Sequence, residues 1–176
     1  MILTDQVIRI INTGGTFNKR YDPIEGKLFV PSDNIAVESA IASMKYGSDI
    51  KISGTIYKDS LEMGSADRDL LCEIVTKVEE KEIVIVHGTD TMDKSAKALD
   101  EWFGKSYDKR VVLTGAMVPF SIDPVEATAN LVMAVSSVQF LDLGVYIAMH
   151  GSVLPYDKIE KNRKIGIFEP LISIDC

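Results

Sequence analysis

Two short stretches of this sequence gather small hydroxyl side chains, glycines and one carboxylate. Thr13-Gly14-Gly15-Thr16 sets two hydroxyls around a glycine pair, and His87-Gly88-Thr89-Asp90-Thr91 repeats the arrangement with an added acid. The glycines let the backbone approach a ligand closely and present its N–H groups. A threonine hydroxyl is a poor nucleophile unless a base takes its proton, and the oxyanion it generates needs N–H donors. Both needs can be met here: Thr16 attacks with help from a tyrosine such as Tyr21, while Asp90 and a lysine from the last loop relay a proton to Thr89. Glycine-threonine loops also bind phosphates, and composition alone gives that reading equal standing. Neither Gly-x-x-x-x-Gly-Lys-Ser/Thr nor Gly-x-Gly-x-x-Gly occurs, which counts against a nucleotide.

Such loops need a frame. Val7 to Ile11, Ile83 to Val86, Val111 to Leu113 and Val145 to Ala148 are short apolar runs, each stopped by a glycine-bearing turn, with a weaker strand from about Ile50 to Tyr57. Nearly continuous apolar strands suit a parallel sheet buried on both faces. Between them, Val37-Ala40-Ile41-Met44, Leu71-Ile74-Val75-Val78 and Met92-Ala96-Leu99-Phe103 keep helical spacing, with Gly47 and Gly104 as stops for the first and third. Asp123-Pro124-Val125-Glu126 reads as an N-cap, a proline at the first helical position and a capping-box glutamate. Alternating strands and helices predict an α/β three-layer sandwich with an open, mainly parallel, doubly wound sheet. In such sheets ligands bind at the carboxyl ends of the strands. That rule selects 13–17, the region of Ser60, 87–90, 115–119 and 150–157. The charged run 157–164 reads as a surface loop.

Several conspicuous residues have plain structural explanations. His87 ends an apolar strand, where a hydrogen-bonded structural histidine is commoner than a catalyst. Gly115-Ala116-Met117 suits tight packing beneath the site, capping accounts for Asp123 and Glu126, and Ser60 reads as an ordinary loop serine. With 176 residues, a single domain over 1–176 is expected. The balance of 19 Lys and Arg against 26 Asp and Glu, net −7, disfavours nucleic acid as a partner. No apolar stretch is long enough to span a bilayer, and no leader precedes Val7, so a cytoplasmic protein without membrane contact is expected. Cys72 and Cys176 are too few for a disulfide framework, and His87 and His150 too few for a zinc cluster, so no metal is expected.

The two hydroxyl motifs in this order, with His87-Gly88-Thr89-Asp90-Thr91-Met92 the more specific, resemble those of the bacterial-type L-asparaginase family. Leu113-Thr114-Gly115-Ala116-Met117-Val118-Pro119 and Asn130-Leu131 resemble further family segments, and the likeness runs from Val7 to about Asn162. It implies a cofactor-free amidohydrolase that converts L-asparagine to L-aspartate and ammonia through an acyl intermediate on threonine. Thr16 would be the nucleophile, with Tyr21 as its loop tyrosine. Thr89 and Asp90 would form a second catalytic group with a lysine of the final loop; of Lys158, Lys161 and Lys164, Lys161 best resembles the local pattern. Ser60 would bind the substrate's α-carboxylate together with the backbone at Gly15 and Gly88, and Asp90 its α-amino group. Leu61 stands where the family commonly has glutamine. Family members are about twice as long, with a second α/β domain that serves a neighbouring subunit, so a short homo-oligomeric enzyme with no second domain is expected. The alternatives are a non-catalytic amino-acid-binding or regulatory domain, or an amidotransferase component.

Overall fold

The computed structural model describes residues 7–45, 47 and 49–171. Among these residues ten strands and five helices follow one another. The strands are β1 (Ile8–Gly14), β2 (Arg20–Asp22), β3 (Lys27–Phe29), β4 (Ile50–Lys58), β5 (Glu82–Val86), β6 (Arg110–Thr114), β7 (Gly144–Met149), β8 (Ser152–Pro155), β9 (Ile159–Asn162) and β10 (Ile167–Pro170). The helices are α1 (Gly15–Asn18), α2 (Ile35–Met44), α3 (Ser65–Lys77), α4 (Met92–Phe103) and α5 (Pro124–Ser137), with 3-10 turns at Ser60–Glu62 and Tyr156–Lys158.

The main sheet runs β4-β1-β5-β6-β7-β8. Its first five strands are parallel, and β8 returns antiparallel to β7. Among the parallel strands the chain order is second, first, third, fourth, fifth. This doubly wound arrangement opens a crevice between β1 and β5, where successive connections leave in opposite directions. Alternation along each strand divides the core. Ile83 and Ile85 pack with Leu71, Val75, Met92 and Leu99 of α3 and α4. Val84 and Val86 pack with Val37, Ala40, Leu131 and Val135 of α2 and α5. All five residues of β5 are buried, as a strand covered on both faces must be.

The anticipated strands and helices are all present, most of them extended by one or a few residues, while β1 begins after Val7, α3 ends before Val78 and α4 keeps the anticipated ends. The stops differ in two places. Helix α2 ends at Lys45, in the left-handed region at φ 49, rather than at Gly47. The 157–164 run is no loop: β9 and β10 pair antiparallel, with Lys161 opposite Phe168. Phe168 is buried in the α3–α4 side of the core, which gives the charged hairpin its anchor. Cys72 is buried and free, and burial pushes its thiol up to about 11, as an inert packing residue requires. Met1 to Gln6 and Cys176 lie outside the described residues. Among those described, no helix is long and apolar enough to cross a membrane.

Candidate active site

At the carboxyl ends of β4, β1 and β5 three backbone segments meet in direct contact. Gly15 has φ +70, and a Cβ there would stand 2.4 Å from both Cα and N of Gly88. Only glycine suits that backbone and that gap. A Cβ on Gly88 would in turn stand 2.6 Å from Cβ and Oγ of Ser60. Ser60 is buried on its 3-10 turn, so the three residues form one packed surface. Side chains beneath hold it. Thr13 Oγ1 donates to the Val86 carbonyl (2.9 Å), tying β1 to β5. Asn12 Nδ2 donates to Asn34 Oδ1 (3.1 Å) and Asn18 Oδ1 (3.3 Å), and Gly14 N–H donates to Asn12 Oδ1 (3.0 Å). On the Ser60 side, Thr91 Oγ1 donates to the Ser60 carbonyl (2.7 Å) and receives Arg68 Nη2 (3.0 Å). Thr13 is thus a structural tie, and the hydroxyl of this motif left for chemistry is that of Thr16. It is half-buried in α1 and makes no side-chain hydrogen bond among the described residues. Next to it, Phe17 is buried and stacks on Phe120, with ring centroids 6.0 Å apart.

The β9–β10 hairpin reaches over the β5 loop. Lys161 Nζ donates to Thr89 Oγ1 (2.9 Å) and to Asp90 Oδ1 (2.8 Å), and its side chain is only 12% exposed. Lys161 holds the Asp90 carboxyl below the usual carboxylate range, against the effect of burial, and Arg163 adds to the depression. Arg163 Nη1 donates to Asp90 Oδ1 (2.7 Å) and Nη2 to the Asp90 carbonyl (2.8 Å). The Thr89 hydroxyl also faces the Met117 sulfur at 3.4 Å. A cavity of about 350 Å³ opens beside these groups, lined by Thr89, Asp90, Lys161, Arg163 and Phe168 among others. Close by, Asp59 feels the charge of Asp90 and pairs with Lys19 (2.6 Å); burial works against the Asp59 charge, but the lysine outweighs it and its carboxyl stays below the ordinary range.

The hairpin is held in place by a network that local sequence pattern assigns otherwise. Asp123 does cap α5, accepting from Val125 N–H (3.0 Å). Glu126 makes no capping box. Its carboxylate turns to the loop after β6 and accepts from Met117 N–H (2.8 Å) and Val118 N–H (2.9 Å), and Oε1 also receives His150 Nε2 (2.9 Å). His150 Nδ1 accepts from Phe168 N–H (3.0 Å), which places the ring proton on Nε2. Asn130 bridges the same elements, donating to the Gly115 carbonyl (3.0 Å) and accepting from His150 N–H (3.0 Å). Since Phe168 lies opposite Lys161, this chain of bonds sets the lysine's position.

Of the residues singled out by sequence, Thr89, Asp90 and Lys161 are joined by hydrogen bonds, and Gly15, Gly88 and Ser60 by backbone contact. Lys161 is the lysine in place. Lys158 pairs instead with its neighbour Asp157 (3.2 Å). Tyr21 is not drawn in: it sits on the β2–β3 hairpin, 60% exposed, without a hydrogen bond to Thr16. His87 is structural, as expected. Fully buried, its ring is held neutral by desolvation, with the pKa down to about 4, and Nδ1 donates to the Gly88 carbonyl (2.7 Å). Gly115 packs tightly, since a Cβ there would lie 2.3 Å from the His87 carbonyl oxygen. Arg163, Met117, Glu126 and His150 escaped notice as site residues; only the loop positions of Met117 and His150 hinted at them. Among the described residues no three His, Cys, Asp or Glu side chains converge as a metal would need.

Comparison with known proteins agrees with this fold. The family described as "Asparaginase, N-terminal" matches residues 7–166. An L-asparaginase of Thermococcus kodakarensis is 26% identical over 160 residues, covering 90% of this chain and 48% of the relative. A glutamyl-tRNA(Gln) amidotransferase component of Methanococcus maripaludis is 30% identical over 152 residues, covering 82% of this chain and 35% of the relative. Among solved structures, the thermostable L-asparaginase from Thermococcus kodakarensis superposes with a TM-score of 0.80 at 24% identity, over 94% of this chain and 51% of that one. The probable cytoplasmic L-asparaginase from Campylobacter jejuni gives 0.77 at 26% identity, over 93% and 52%. This chain therefore spans about half the length, or less, of these relatives. With the family match running through nearly all of its described residues and both hydroxyl loops in place, the chain belongs to the asparaginase family, whose N-terminal domain it matches.

Proposed function

We propose that this chain carries out amide hydrolysis of the asparaginase kind, releasing ammonia from L-asparagine or a closely similar small carboxamide without a cofactor. The observation that carries this reading is the Lys161–Thr89–Asp90 set held beside the Ser60–Gly88–Gly15 surface. In it, the Thr16 hydroxyl attacks the carboxamide carbon, and its proton leaves with the departing ammonia. Water then cleaves the Thr16 ester, giving the free acid. Thr89, oriented by Lys161, is the proton-handling hydroxyl, and the Asp90 carboxylate keeps the lysine in place; groups so positioned contribute about 10²–10⁴-fold. The Gly88 N–H has no protein acceptor among the described residues and is free to meet a substrate carboxylate next to Ser60. Tyr21 joins Thr16 once a ligand draws the β2–β3 hairpin inward. A homo-oligomer supplies the remaining wall, since Tyr21 and Leu61 leave that side open to solvent, at 60% and 70% exposure.

Ammonia release from purified protein across asparagine, glutamine and related amides tests this, with Thr16→Ala, Thr89→Ala and Lys161→Met as probes. The wild type releases ammonia, and each variant loses about 10²–10⁴-fold in kcat. Undiminished turnover in both threonine variants refutes the assignment. A second reading is favoured by the amidotransferase relatives: the chain generates ammonia for a larger assembly. Hydrolysis that is slow alone and rises when a partner protein is added marks that case. Calorimetric binding of aspartate with no turnover at all marks a regulatory domain.

A further inference from the structure

A second cavity, of about 280 Å³, lies at the other end of the sheet from the candidate active site. Strand β8 ends at Pro155, opposite Tyr146, so Gly144 and Val145 at the start of β7 extend past it and form part of the cavity wall. Three tyrosines line the rest. Tyr107 and Tyr156 pack against the α3–α4 side of the core and Tyr146 against the α2–α5 side, so the phenols approach from both faces of the sheet. The Tyr146 ring lies against Gly144, where a Cβ would stand 3.4 Å from its Cε2, and its hydroxyl has no hydrogen-bond partner among the described residues. One carboxylate is set among these rings. Asp100, in the last turn of α4, accepts from the Tyr107 hydroxyl at Oδ1 and from the Tyr156 hydroxyl at Oδ2 (3.0 Å). Burial and then the Asp100 hydrogen bond push both phenols up, that of Tyr156 to about 12, so both stay donors at neutral pH. They clamp α4 to the 3-10 turn but bring no positive charge. Asp100 has no ion pair among the described residues, whereas Asp157 at the rim is paired with Lys158 (3.2 Å). No lysine, arginine or histidine lines the cavity, and the C-terminal end of α4 adds negative potential to it. Each Asp100 oxygen accepts one bond here, and a carboxylate oxygen can take two.

We propose that this cavity is a binding site for a small organic cation with N–H donors, an ammonium or guanidinium group on a short apolar stem. Asp100 takes the charge through its remaining acceptor positions, and the tyrosine rings take the stem and the adjoining cation. The volume is below the ~300–1,000 Å³ of drug-sized sites, which limits the ligand to a small one. The site is independent of the amide-hydrolysis reading. n-Butylammonium and n-butylguanidinium are the probes and n-butanol the uncharged control, each titrated into the purified chain by calorimetry and followed by amide NMR. Both cations saturate at millimolar concentration, shift the amides of Gly144 and Tyr156, and bind about tenfold more tightly than butanol. Asp100→Asn weakens the cations by about tenfold and leaves butanol unchanged. Tyr146→Leu, at a half-buried position without a hydrogen bond to lose, weakens the cations about two- to fivefold. If Asp100→Asn does not fold, the Tyr146 variant and the comparison with butanol decide. Butanol binding as tightly as the cations, cation affinities unchanged in the folded variants, or no saturable binding of either cation overturns the site. So do shifts confined to Thr89 and Asp90, which would put the cation in the candidate active site instead.

Discussion

Replacing Gly15 with alanine tests whether the β1 and β5 loops really touch. Two costs apply at that position. A left-handed backbone, φ +70, costs an alanine about 1–2 kcal/mol relative to glycine. The new methyl would also stand 2.4 Å from the Gly88 backbone, which has no flexible side chain to yield, and overpacking of this kind costs about 1–3 kcal/mol. Gly26 separates the two terms. Its φ of +67 is nearly the same, yet nothing lies within 4 Å of its missing Cβ. Gly26→Ala should thus lose only the backbone term, about 1–2 kcal/mol, and Gly15→Ala about 2–5 kcal/mol. With a urea slope of about 2 kcal/mol per molar, the Gly15 variant's midpoint falls about 0.5–1.5 M further than the Gly26 variant's. Ammonia release should fall in the Gly15 variant alone, because a displaced Gly88 shifts Ser60. Equal midpoints for the two variants would show that the loops are not in contact and would remove the physical basis of the site.

Two further outcomes are expected. Burial opposes the Glu80 charge, but Arg9 Nη2 (2.9 Å) and Lys51 Nζ (2.9 Å) outweigh it and bring the carboxyl down to about 2. A depressed folded-state value means stability that is present above the ordinary glutamate range and is lost as pH falls from about 4.5 toward 2. Glu80→Gln should therefore cost about 1–3 kcal/mol at pH 7 and flatten the acid limb of a stability–pH curve; an unchanged acid limb would contradict the ion-pair account. His150→Asn keeps a side chain that tolerates the local φ of 50 but cannot reach Glu126 and Phe168 together. Faster amide exchange at Phe168 and a kcat about tenfold lower, with KM little changed, is the expected pattern, since the hairpin that carries Lys161 is loosened; a KM effect alone would argue against a positioning role.

Much of the framework is legible along the chain itself. Continuous apolar runs such as Ile83 to Val86 carry the signature of a strand buried on both faces, because no polar alternation survives there. Proline after Asp123 marks the start of α5 because its fixed φ and missing N–H are harmless only in a first turn. The two hydroxyl loops follow from glycine and threonine at strand ends, and the sheet rule brings their carboxyl ends together. By itself, then, the sequence determined the layers and the strand ends that bear the candidate site, and it singled out Thr16, Thr89 and Asp90 as candidates, since these depend on local spacing.

Other features depend on distance through space, which local pattern does not encode. Glu126 resembles a capping residue along the chain, yet the loop after β6 presents two N–H groups and His150 a third donor, a stronger set of partners than one helix terminus offers. The charged run 157–164 resembles a solvated loop until Phe168 finds the core, 7 residues beyond its pairing partner Lys161. Only then does Lys161, rather than Lys158 or Lys164, arrive at Thr89, and only then does Arg163 close on Asp90. The candidate hydroxyls and the carboxylate of the site lie in two short motifs. The cations that set its charge were decided by the tertiary structure, because a hairpin some seventy residues away is ordered by burial and hydrogen bonding rather than by its own composition.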